Sequence, residues 1–370
     1  MFKINNKLNS TYNFPAISVI IPMYNVERYV GQCLGSLLGQ TFQNFEVIVV
    51  DDCSTDNSVA IVESIVPKFN GRLQLIKRKQ NAGAAAIPRN TGIGLSRGKY
   101  IFFLDSDDII VNDAFDILYN AAEQTKADVV HVEKYYVPVG TGDIINENTK
   151  FRLDTHQSAP FVDKITLENE DIGNRIEKFC QKKFLWWACS KLFRRDFIME
   201  NHISFVDMIS VEDMIFTFSC VCLAKVYVRI PGAIYVYRTN PISITKQNLT
   251  VKKQLHRYIT VLLQGVNAFI ELANRIKIFS DHPEYKSMII NFFIQLNMEW
   301  EAGIYFKAPL YEIDLITNEE LSYEPYKNVS LHSYIFNIAN LYRLKFIQSE
   351  KQILALQKQI QNLQNKVNYF

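Results

Sequence analysis

The chain has 370 residues, of which 48% are hydrophobic and 13% aromatic, so it can bury the core of two domains or of one large domain with additions. Forty basic and 38 acidic residues leave a formal net charge of +2, which gives no case for nucleic acid as a partner. No window reaches the roughly 18 apolar residues of a transmembrane helix, and the polar start lacks the apolar stretch of a secretory signal. We therefore expect a soluble cytoplasmic protein without a transmembrane segment, for which peripheral contact with the inner face of the cell membrane stays open.

Four apolar runs in the first part of the chain predict the strands of one sheet. They are Ile17–Met23, Phe45–Val50, Leu73–Ile76 and Tyr100–Leu104. Helical stretches lie between them, such as Val26–Leu38, in which apolar residues recur at helical spacing. Strands that are apolar on both faces and alternate with helices indicate an α/β protein with a parallel sheet covered on both sides.

Polar clusters follow three of these strands. Met23–Asn25 comes after the first, Asp51–Ser58 after the second, and Asp105–Asp108 after the fourth. Ligands of parallel α/β sheets bind beyond the carboxyl ends of the strands, where these clusters should lie. The sequence therefore predicts a binding site at this rim of the sheet.

The acidic residues of these clusters favour a metal and a nucleotide. Asp105 and Asp107 end a buried strand, and a divalent cation would offset their repulsion while bridging to the oxygens of a diphosphate. Asp108 has no assigned role, and helix capping is the default expectation for it. Capping of the next helix requires only one acid, whereas two, Asp51 and Asp52, follow the strand. A carboxylate there could accept hydrogen bonds from a uracil imide or from a ribose.

Two long stretches of the sequence resemble a known family. They read ISVIIPMYNVERYVGQCLGSLLGQTFQNFEVIVVDDCSTDNS from Ile17 to Ser58 and NAGAAAIPRNTGIGLSRGKYIFFLDSDD from Asn81 to Asp108. Their order and spacing are similar to those of the inverting glycosyltransferases of family 2, and Glu212-Asp213 and Tyr237-Arg238 extend the resemblance. The resemblance implies the GT-A fold, which is a Rossmann-like α/β domain for nucleotide-diphosphate sugars with a central, mostly parallel sheet.

The resemblance assigns nucleotide-binding roles to residues of the predicted rim. Pro22, Tyr24 and Glu27 fall where the family packs against the nucleotide base and ribose. Asp52 matches the acid that contacts uracil, and Arg89 matches a basic residue near the nucleotide. The implied donor is a nucleotide-diphosphate sugar, with a UDP-sugar favoured.

The same resemblance implies a metal and a diphosphate site. Asp105 and Asp107 form the family's DxD motif, in which Asp107 is the expected direct ligand of Mn2+ or Mg2+. Asp105 is the second candidate metal ligand and lies nearer the ribose. Arg238 and Ser243 match a late segment that closes over the diphosphate.

The acceptor side is also implied by the resemblance. Asp213 matches the general base that removes the proton of the attacking acceptor hydroxyl, and Glu212 is expected to orient the acceptor. Trp187 and Lys191 match a segment beside the acceptor. The implied reaction is metal-dependent, inverting transfer of a sugar to a glycan or lipid-linked acceptor in cell-surface polysaccharide synthesis.

One segment departs from the family pattern. The spacing from Asn81 to Arg89 is one residue longer than the family's commonest spacing, and Pro88 precedes the arginine. Gly83 would still allow a close approach of the backbone to the nucleotide.

The chain divides by composition into four predicted parts. They are an N-terminal extension (1–15), the GT-A domain (16–245), a C-terminal helical region (246–340) and a helical tail (341–370). The helical region begins with a long amphipathic pattern from Val251 to Ile278.

The tail carries a short heptad pattern. Its apolar positions are Ile353, Leu356, Ile360, Leu363, Val367 and Phe370. Such alternating steps of three and four favour a parallel coiled coil, so we expect homo-oligomers through residues 346–370. The alternative is a C-terminal helix that lies on its own chain.

Two other functions fit part of the pattern. A nucleotidyltransferase of related fold would also use a metal and paired acids, but it should carry a glycine-rich triphosphate loop, and PMYNVERYV is not one. A catalytically silent scaffold could oligomerise through the tail, but it would have no physical need for clustered carboxylates.

Overall fold

The structure is a computed structural model that describes residues 14–139, 144–146, 148–155, 162–238, 240, 249–307, 315 and 348–359. The chain forms two compact units. The first comprises residues 1–247 and 272–285, and the second comprises residues 248–271 and 286–370.

The described elements follow one another in chain order. The strands are β1 (Ile17–Met23), β2 (Phe45–Asp51), β3 (Leu73–Lys77), β4 (Tyr100–Phe103), β5 (Ile109–Ile110), β6 (Val129–Pro138), β7 (Phe151–Thr155), β8 (Thr166–Leu167), β9 (Lys191–Arg194) and β10 (Tyr227–Val236). The helices are α1 (Val30–Leu38), α2 (Ser58–Ile65), α3 (Ala86–Leu95), α4 (Ala114–Thr125), α5 (Ile172–Cys180), α6 (Arg195–Glu200), α7 (Glu212–Leu223), α8 (Val251–Arg275), α9 (Ile278–Asp281) and α10 (Pro283–Lys307).

The strands form one mixed sheet in the order β3-β2-β1-β4-β9-β6-β10-β5, with β7 paired to β6 and β8 paired to β10. Pairing is parallel among β3, β2, β1 and β4 and between β6 and β10. Strand β9 is antiparallel to both of its neighbours, β4 and β6. The predicted α/β class with a mostly parallel central sheet and C-terminal helices is therefore confirmed.

The central strands are buried on both faces, as their continuous apolar sequences predict. Every residue of β1 and β2 is buried. On one face, Val19 and Ile21 belong to a core that includes Leu34 of α1 and Phe115 of α4. On the other face, a Cβ at Gly92 of α3 would lie 2.3 Å from Cγ2 of Ile20, so glycine lets this helix lie close to β1.

The structure differs from the sequence expectations at several element ends and in one strand direction. Helix α1 begins at Val30 instead of Val26, and α8 ends at Arg275 instead of Ile278. Strand β9, which runs in the reverse direction, directly follows the aromatic segment 184–190 in the sequence. Because β9 is antiparallel to β4, its first residue lies at the rim where β4 ends.

The second unit contains most of α8 and α10. A Cβ at Gly265 would lie 2.2 Å from the ring of Phe293, and the rings of Phe269 and Phe293 have centroids 5.3 Å apart, so the two helices pack closely. Residues 348–359 are helical, and Ile353 and Leu356 are exposed. The remaining heptad positions, from Ile360 onward, lie outside the described residues. Within the described part of the chain, no helix is both long and apolar enough to cross a bilayer.

Candidate active site

The loops after β1 and β2 form one end of the rim and are tied together. The N–H of Asn25 donates to Oγ of Ser54 over 3.0 Å, and Oδ1 of Asn25 accepts from the N–H of Thr55 at 2.7 Å. Asn25 (φ 50°) and Cys53 (φ 66°) have left-handed backbone conformations. Residues other than glycine adopt such conformations rarely, and those that do are often found at functional sites. The two loops therefore have a defined and uncommon backbone shape.

Three residues predicted to contact the nucleotide lie on or beside the first loop. Pro22 is buried inside β1, and the pairing of β1 with β4 ends at Ile20, so the missing N–H leaves no gap in that ladder. Tyr24 is 44% exposed. The Glu27 carboxylate accepts hydrogen bonds from the backbone and side-chain N–H groups of Asn57 at 2.9 and 2.8 Å.

Asp52 is buried and organises the loop that follows β3. Its carboxylate pairs with Arg78 and accepts from the N–H of Ala82 at 2.9 Å, while its carbonyl oxygen accepts from the Asn81 side chain at 2.7 Å. Gly83 follows with φ +81°, a conformation that favours glycine. The Asn81–Arg89 segment, which departs from the family spacing, is thus anchored on Asp52.

Arg89 of α3 is the centre of the site. Its guanidinium is buried and donates to Asp105 at 2.8 Å through Nη2, and to both Glu212 and Asp213 at 2.8 Å through Nη1. The guanidinium carbon also lies 5.1 Å from the ring centroid of Phe205. One cation therefore joins the carboxylate after β4 to the two carboxylates that open α7, and the structure places these sequence-predicted residues together.

The acids at the start of α7 are harder to ionise than usual. Burial raises the pKa of Glu212 to about 7, and the neighbouring charge of Asp213 adds to the shift. Burial also raises the pKa of Asp213, against the opposing effect of Arg89. Val211, directly before them, has a left-handed conformation (φ 63°) that is strained for a β-branched residue. A carboxylate with a raised pKa is suited to accepting a proton near neutral pH.

Asp105 and Asp107 offer a limited set of oxygens to a cation. Oδ1 of Asp105 is paired with Arg89, and Oδ2 of Asp107 accepts from Asn240 at 3.0 Å. Burial and the charge of Asp105 raise the pKa of Asp107. In the described ranges no three His, Cys, Asp or Glu side chains are grouped as a metal site. The two aspartates fit a hard cation such as Mg2+ or Mn2+ that takes few protein ligands and completes its shell with waters and phosphate oxygens.

Asp108 joins the DxD loop to the end of β10, and this corrects its predicted role as a helix cap. Its buried carboxylate accepts from the Tyr235 hydroxyl at 2.6 Å and from the N–H of Arg238 at 2.7 Å. The Arg238 guanidinium is buried, donates to Oε1 of Gln32 at 2.7 Å and lies over the ring of Tyr29. Its Nε and Nη2 have no partner among the described residues. These two donors are available to an anion, and a guanidinium binds phosphate oxygens well.

The segment before β9 lies on the other side of Asp213. The N–H of Ala188 points to Oδ2 of Asp213 at 3.5 Å, and Trp187 is partly exposed. Lys191 is fully buried, and its ammonium donates to the carbonyl oxygens of Leu185 and Trp187 at 2.5 and 2.6 Å. The expectation that Lys191 contacts the acceptor is therefore wrong, because its charged group is enclosed by its own chain.

Sequence reasoning did not identify the contacts by which three residues contribute to the site. Asp108, Tyr235 and Asn240 hold the DxD loop through partners that are 127 to 133 residues away in sequence. In the sequence, Asp108 directly follows LDSD, and Tyr235 and Asn240 lie near or in YRTN. These positions do not reveal that the two segments contact each other. Ser243 lies outside the described residues.

Comparison with known proteins identifies a family for part of the chain. The profile described as Glycosyl transferase family 2 matches residues 18–197. These residues belong to glycosyl transferase family 2. The matched part of the chain includes Asp52, Arg89, Asp105 and Asp107, whereas Asp213 and Arg238 follow it in the sequence.

Curated relatives are similar over part of their length. The uncharacterized glycosyltransferase EpsJ of Bacillus subtilis is 30% identical over 233 residues, which are 63% of each chain. The poly(ribitol-phosphate) β-N-acetylglucosaminyltransferase TarP of Staphylococcus aureus is 31% identical over 216 residues, which are 57% of this chain and 59% of TarP. This chain thus spans less than two thirds of the length of both relatives.

A solved structure shares the fold. The structure of residues 1–349 of TarS from S. aureus in complex with UDP-GlcNAc superposes with a TM-score of 0.53 and 23% identity, covering 82% of this chain and 88% of that one. The expected GT-A fold is therefore confirmed.

Proposed function

We propose that the chain is a metal-dependent inverting glycosyltransferase that moves a sugar from a nucleotide-diphosphate donor to a hydroxyl of a glycan or glycoconjugate acceptor. The observation that supports this most is the position of Arg89, whose guanidinium contacts Asp105 on one side and Asp213 on the other at 2.8 Å. A donor-side carboxylate and a candidate base are thus both held by one guanidinium.

The donor end would be built from the loops after β1, β2 and β4. Asp52 would supply the carboxylate that accepts from a base, and the exposed Tyr24 would pack against the base from the first loop. The unpaired Nε and Nη2 of Arg238 would donate to diphosphate oxygens, a bidentate arrangement that positions the donor.

Asp107, with Asp105 beside it, would hold Mn2+ or Mg2+. A bound divalent cation supplies charge neutralisation for the diphosphate leaving group.

Asp213 would act as the general base. An oxygen of the acceptor hydroxyl forms a bond to C1 of the donor sugar while the bond from C1 to the diphosphate oxygen breaks with its electron pair. The proton of the hydroxyl moves to the Asp213 carboxylate, whose raised pKa suits this transfer. Attack from the face opposite the diphosphate inverts the configuration at C1.

UDP-GlcNAc is the donor to examine first. TarP, which is 31% identical, is named an N-acetylglucosaminyltransferase, and TarS was solved with UDP-GlcNAc. The acidic Asp52, which can accept from the imide N–H of uracil, supports a UDP-sugar in this chain too.

The test measures UDP release and product mass on incubation with UDP-sugars, Mn2+ and glycan acceptors. We expect Asp107→Ala and Asp213→Asn to lower transfer by about 100-fold or more while both proteins stay folded. Asp196→Asn is the matched control, because the Asp196 side chain is 69% exposed. Full transfer activity in either site variant would remove the role assigned to that residue, and no turnover of any donor by the unaltered protein would contradict the function.

A further inference from the structure

The side-chain amide of Gln32 in α1 connects two parts of the chain that are distant in sequence. Its Oε1 accepts from Nη1 of Arg238 at 2.7 Å, and its Nε2 donates to the carbonyl oxygen of Ile145 at 2.6 Å. Arg238 follows Gln32 by 206 residues and lies just after β10, whereas Ile145 lies in the connection from β6 to β7. One amide therefore joins α1, the end of β10 and the β6–β7 connection.

The chemistry of the two partners fixes the orientation of this amide. An arginine side chain offers only donors, and a carbonyl oxygen only accepts. The reversed amide would turn its NH2 group to a donor and its oxygen to an acceptor, so a single orientation satisfies both partners. A carboxylate in place of the Gln32 amide could not donate to Ile145, and an apolar side chain could bind neither partner.

The contact with Gln32 decides which edge of the Arg238 guanidinium stays free. Nη1 is engaged, whereas the buried Nε and Nη2 are unpaired within the part of the chain that the structure describes. Nε and Nη2 lie on the same edge of the planar guanidinium, and such an edge matches two oxygens of one phosphate group. Buried donors are seldom left unpaired, so two of them on one edge point to an anion as their ligand.

The start of α1 contacts both Arg238 and the DxD loop. The ring centroid of Tyr29, which directly precedes α1, lies 5.3 Å from the guanidinium carbon of Arg238. The Sγ of Cys33, next to Gln32, lies 3.7 Å from the carbonyl oxygen of Asp105. Residues 29–33 thus form one surface against which the arginine and the loop with the candidate metal ligands are both placed.

The β6–β7 connection carries the carbonyl group of Ile145 on a segment with its own hydrogen bonds. The N–H of Val139 donates to the carbonyl oxygen of Lys150 at 2.7 Å, which extends the pairing of β6 with β7 by one step. The N–H of Asn146 donates to Oγ1 of Thr149 at 2.9 Å, and the N–H of Thr149 donates back to the Asn146 carbonyl oxygen at 3.0 Å. Ile145 directly precedes this turn, so the acceptor for Gln32 has a defined place.

We propose that Gln32 is the positioning residue for Arg238: it holds Nη1 so that the Nε–Nη2 edge faces the phosphate groups of the donor, and the β6–β7 connection fixes Gln32 in turn. The proposal rests on the proposed transferase function, which gives Arg238 the diphosphate. It adds that affinity for the diphosphate, but not for the nucleoside, depends on this amide. Two hydrogen bonds from one rigid edge tolerate little rotation, so an arginine without the Gln32 contact should bind phosphate less well.

A double-mutant cycle tests whether Gln32 acts through Arg238. Gln32→Met removes both hydrogen bonds at nearly constant side-chain length, and Arg238→Met removes the guanidinium. We expect Gln32→Met to weaken UDP binding about tenfold, measured by calorimetry with Mg2+, and to have less than about a twofold effect in the Arg238→Met background. An equal loss in both backgrounds would overturn the proposal, and so would an unchanged UDP affinity of the Gln32→Met protein.

Uridine and a control variant separate positioning from general damage to the fold. Uridine carries no phosphate, so its affinity should change less than about twofold in the Gln32→Met protein. Gln124→Met, at an exposed position of α4, should leave UDP binding unchanged. Equal losses of uridine and UDP affinity in the Gln32→Met protein would show that Gln32 supports the whole nucleotide site and would overturn the positioning role.

Gln32→Glu tests the contribution of the β6–β7 connection. This side chain keeps an acceptor for Arg238, but it cannot donate to the carbonyl oxygen of Ile145, and it places a negative charge beside the phosphate site. We expect it to weaken UDP binding at least as much as Gln32→Met does. Full UDP affinity in the Gln32→Glu protein would show that the contact with Ile145 is not needed and would overturn that part of the proposal.

Inorganic pyrophosphate distinguishes failure of this inference from failure of the transferase function. If the unaltered protein binds UDP but transfers no sugar, the transferase function fails, and the cycle on UDP affinity still decides the role of Gln32. If it binds no UDP, the same cycle is measured with inorganic pyrophosphate, which presents the same kind of oxygens to Arg238. Binding of neither molecule by the unaltered protein would overturn both.

Discussion

Arg89 contacts more carboxylates than any other residue of the described site. It is buried and faces three carboxylates at 2.8 Å, of which the side chain of Asp105 is 32% exposed and that of Asp213 is 19% exposed. Removing the cation would leave the carboxylates to repel one another in a setting that disfavours charge. Arg89 therefore fixes the distance between Asp105 and the two carboxylates that open α7.

We expect Arg89→Met to lower the free energy of unfolding by about 3 kcal/mol and to abolish detectable transfer, because it breaks a buried ion network. Arg89→Lys should recover part of the stability but little transfer, since an ammonium cannot span three carboxylates in one plane. Thermal unfolding and UDP release measure the two effects. Arg152→Met, at a side chain that is 62% exposed, is the control. A fully active Arg89→Met protein would contradict the central place of this residue.

The raised pKa values at the start of α7 set a pH dependence. Asp213 must be ionised to accept a proton, and burial raises its pKa, so the transfer rate should fall as pH falls through that raised pKa. Burial and the charge of Asp213 raise the pKa of Glu212 to about 7, so Glu212 takes up its proton before Asp213 as pH falls, and Glu212→Gln should leave the acidic limb of the pH–rate profile nearly unchanged. A limb that moves to lower pH in this variant would show that Glu212 is still charged where Asp213 titrates.

At the residue scale, sequence reasoning found the acids that a strand end or a motif delivers and missed what tertiary contacts decide. Asp105 and Asp107 follow directly from the end of a strand, whereas the partners of Asp108 come from β10. Lys191 illustrates the opposite error. The family resemblance puts Lys191 in a segment beside the acceptor, and the sequence pattern does not reveal the carbonyl oxygens that enclose its ammonium.

At the element scale, the start of α7 stores local strain. Val211 holds a left-handed conformation directly before Glu212, and such a conformation costs a β-branched residue about 1–2 kcal/mol. We expect Val211→Gly to raise the melting temperature if the backbone keeps its shape. Lys126→Gly, at a left-handed residue that ends α4, is the matched variant away from the site.

The two glycine variants should differ in activity. Added freedom before Glu212 and Asp213 should loosen the aim of these carboxylates, so Val211→Gly should lower kcat several-fold while Lys126→Gly leaves it unchanged. Equal kcat values in both variants would show that the strain at Val211 has no part in positioning the acids.

Elements were predictable from sequence where their periodicity was plain. The first three strands and β4 lie within one residue of their predicted ends, because buried parallel strands read as continuous apolar runs. Strand β9 was not anticipated. Its sequence KLFR is short and follows an aromatic segment, and nothing in such a pattern tells the direction in which a strand will insert.

At the scale of the whole molecule, the tail remains a prediction. Ile353 and Leu356 are 53% and 57% exposed in the helix of residues 348–359, as expected of a helix whose apolar seam awaits a partner. We expect light scattering to give a multiple of the 42.9 kDa chain mass for the full protein and a single chain mass for one ending at Leu344. Ile353→Lys with Leu356→Lys should have the same effect, and an unchanged mass in both would contradict the coiled coil.

The reversal of β9 has a consequence for how such a molecule can diversify. Residues assigned to the donor end occur before Asp108, apart from Arg238 and Ser243, whereas Trp187 and Asp213, assigned to the acceptor end, occur after it. Recombination near Asp108 would therefore exchange the acceptor preference and largely keep the donor preference. Chimeras of related chains joined at this point are a way to make new glycan linkages with an existing sugar donor.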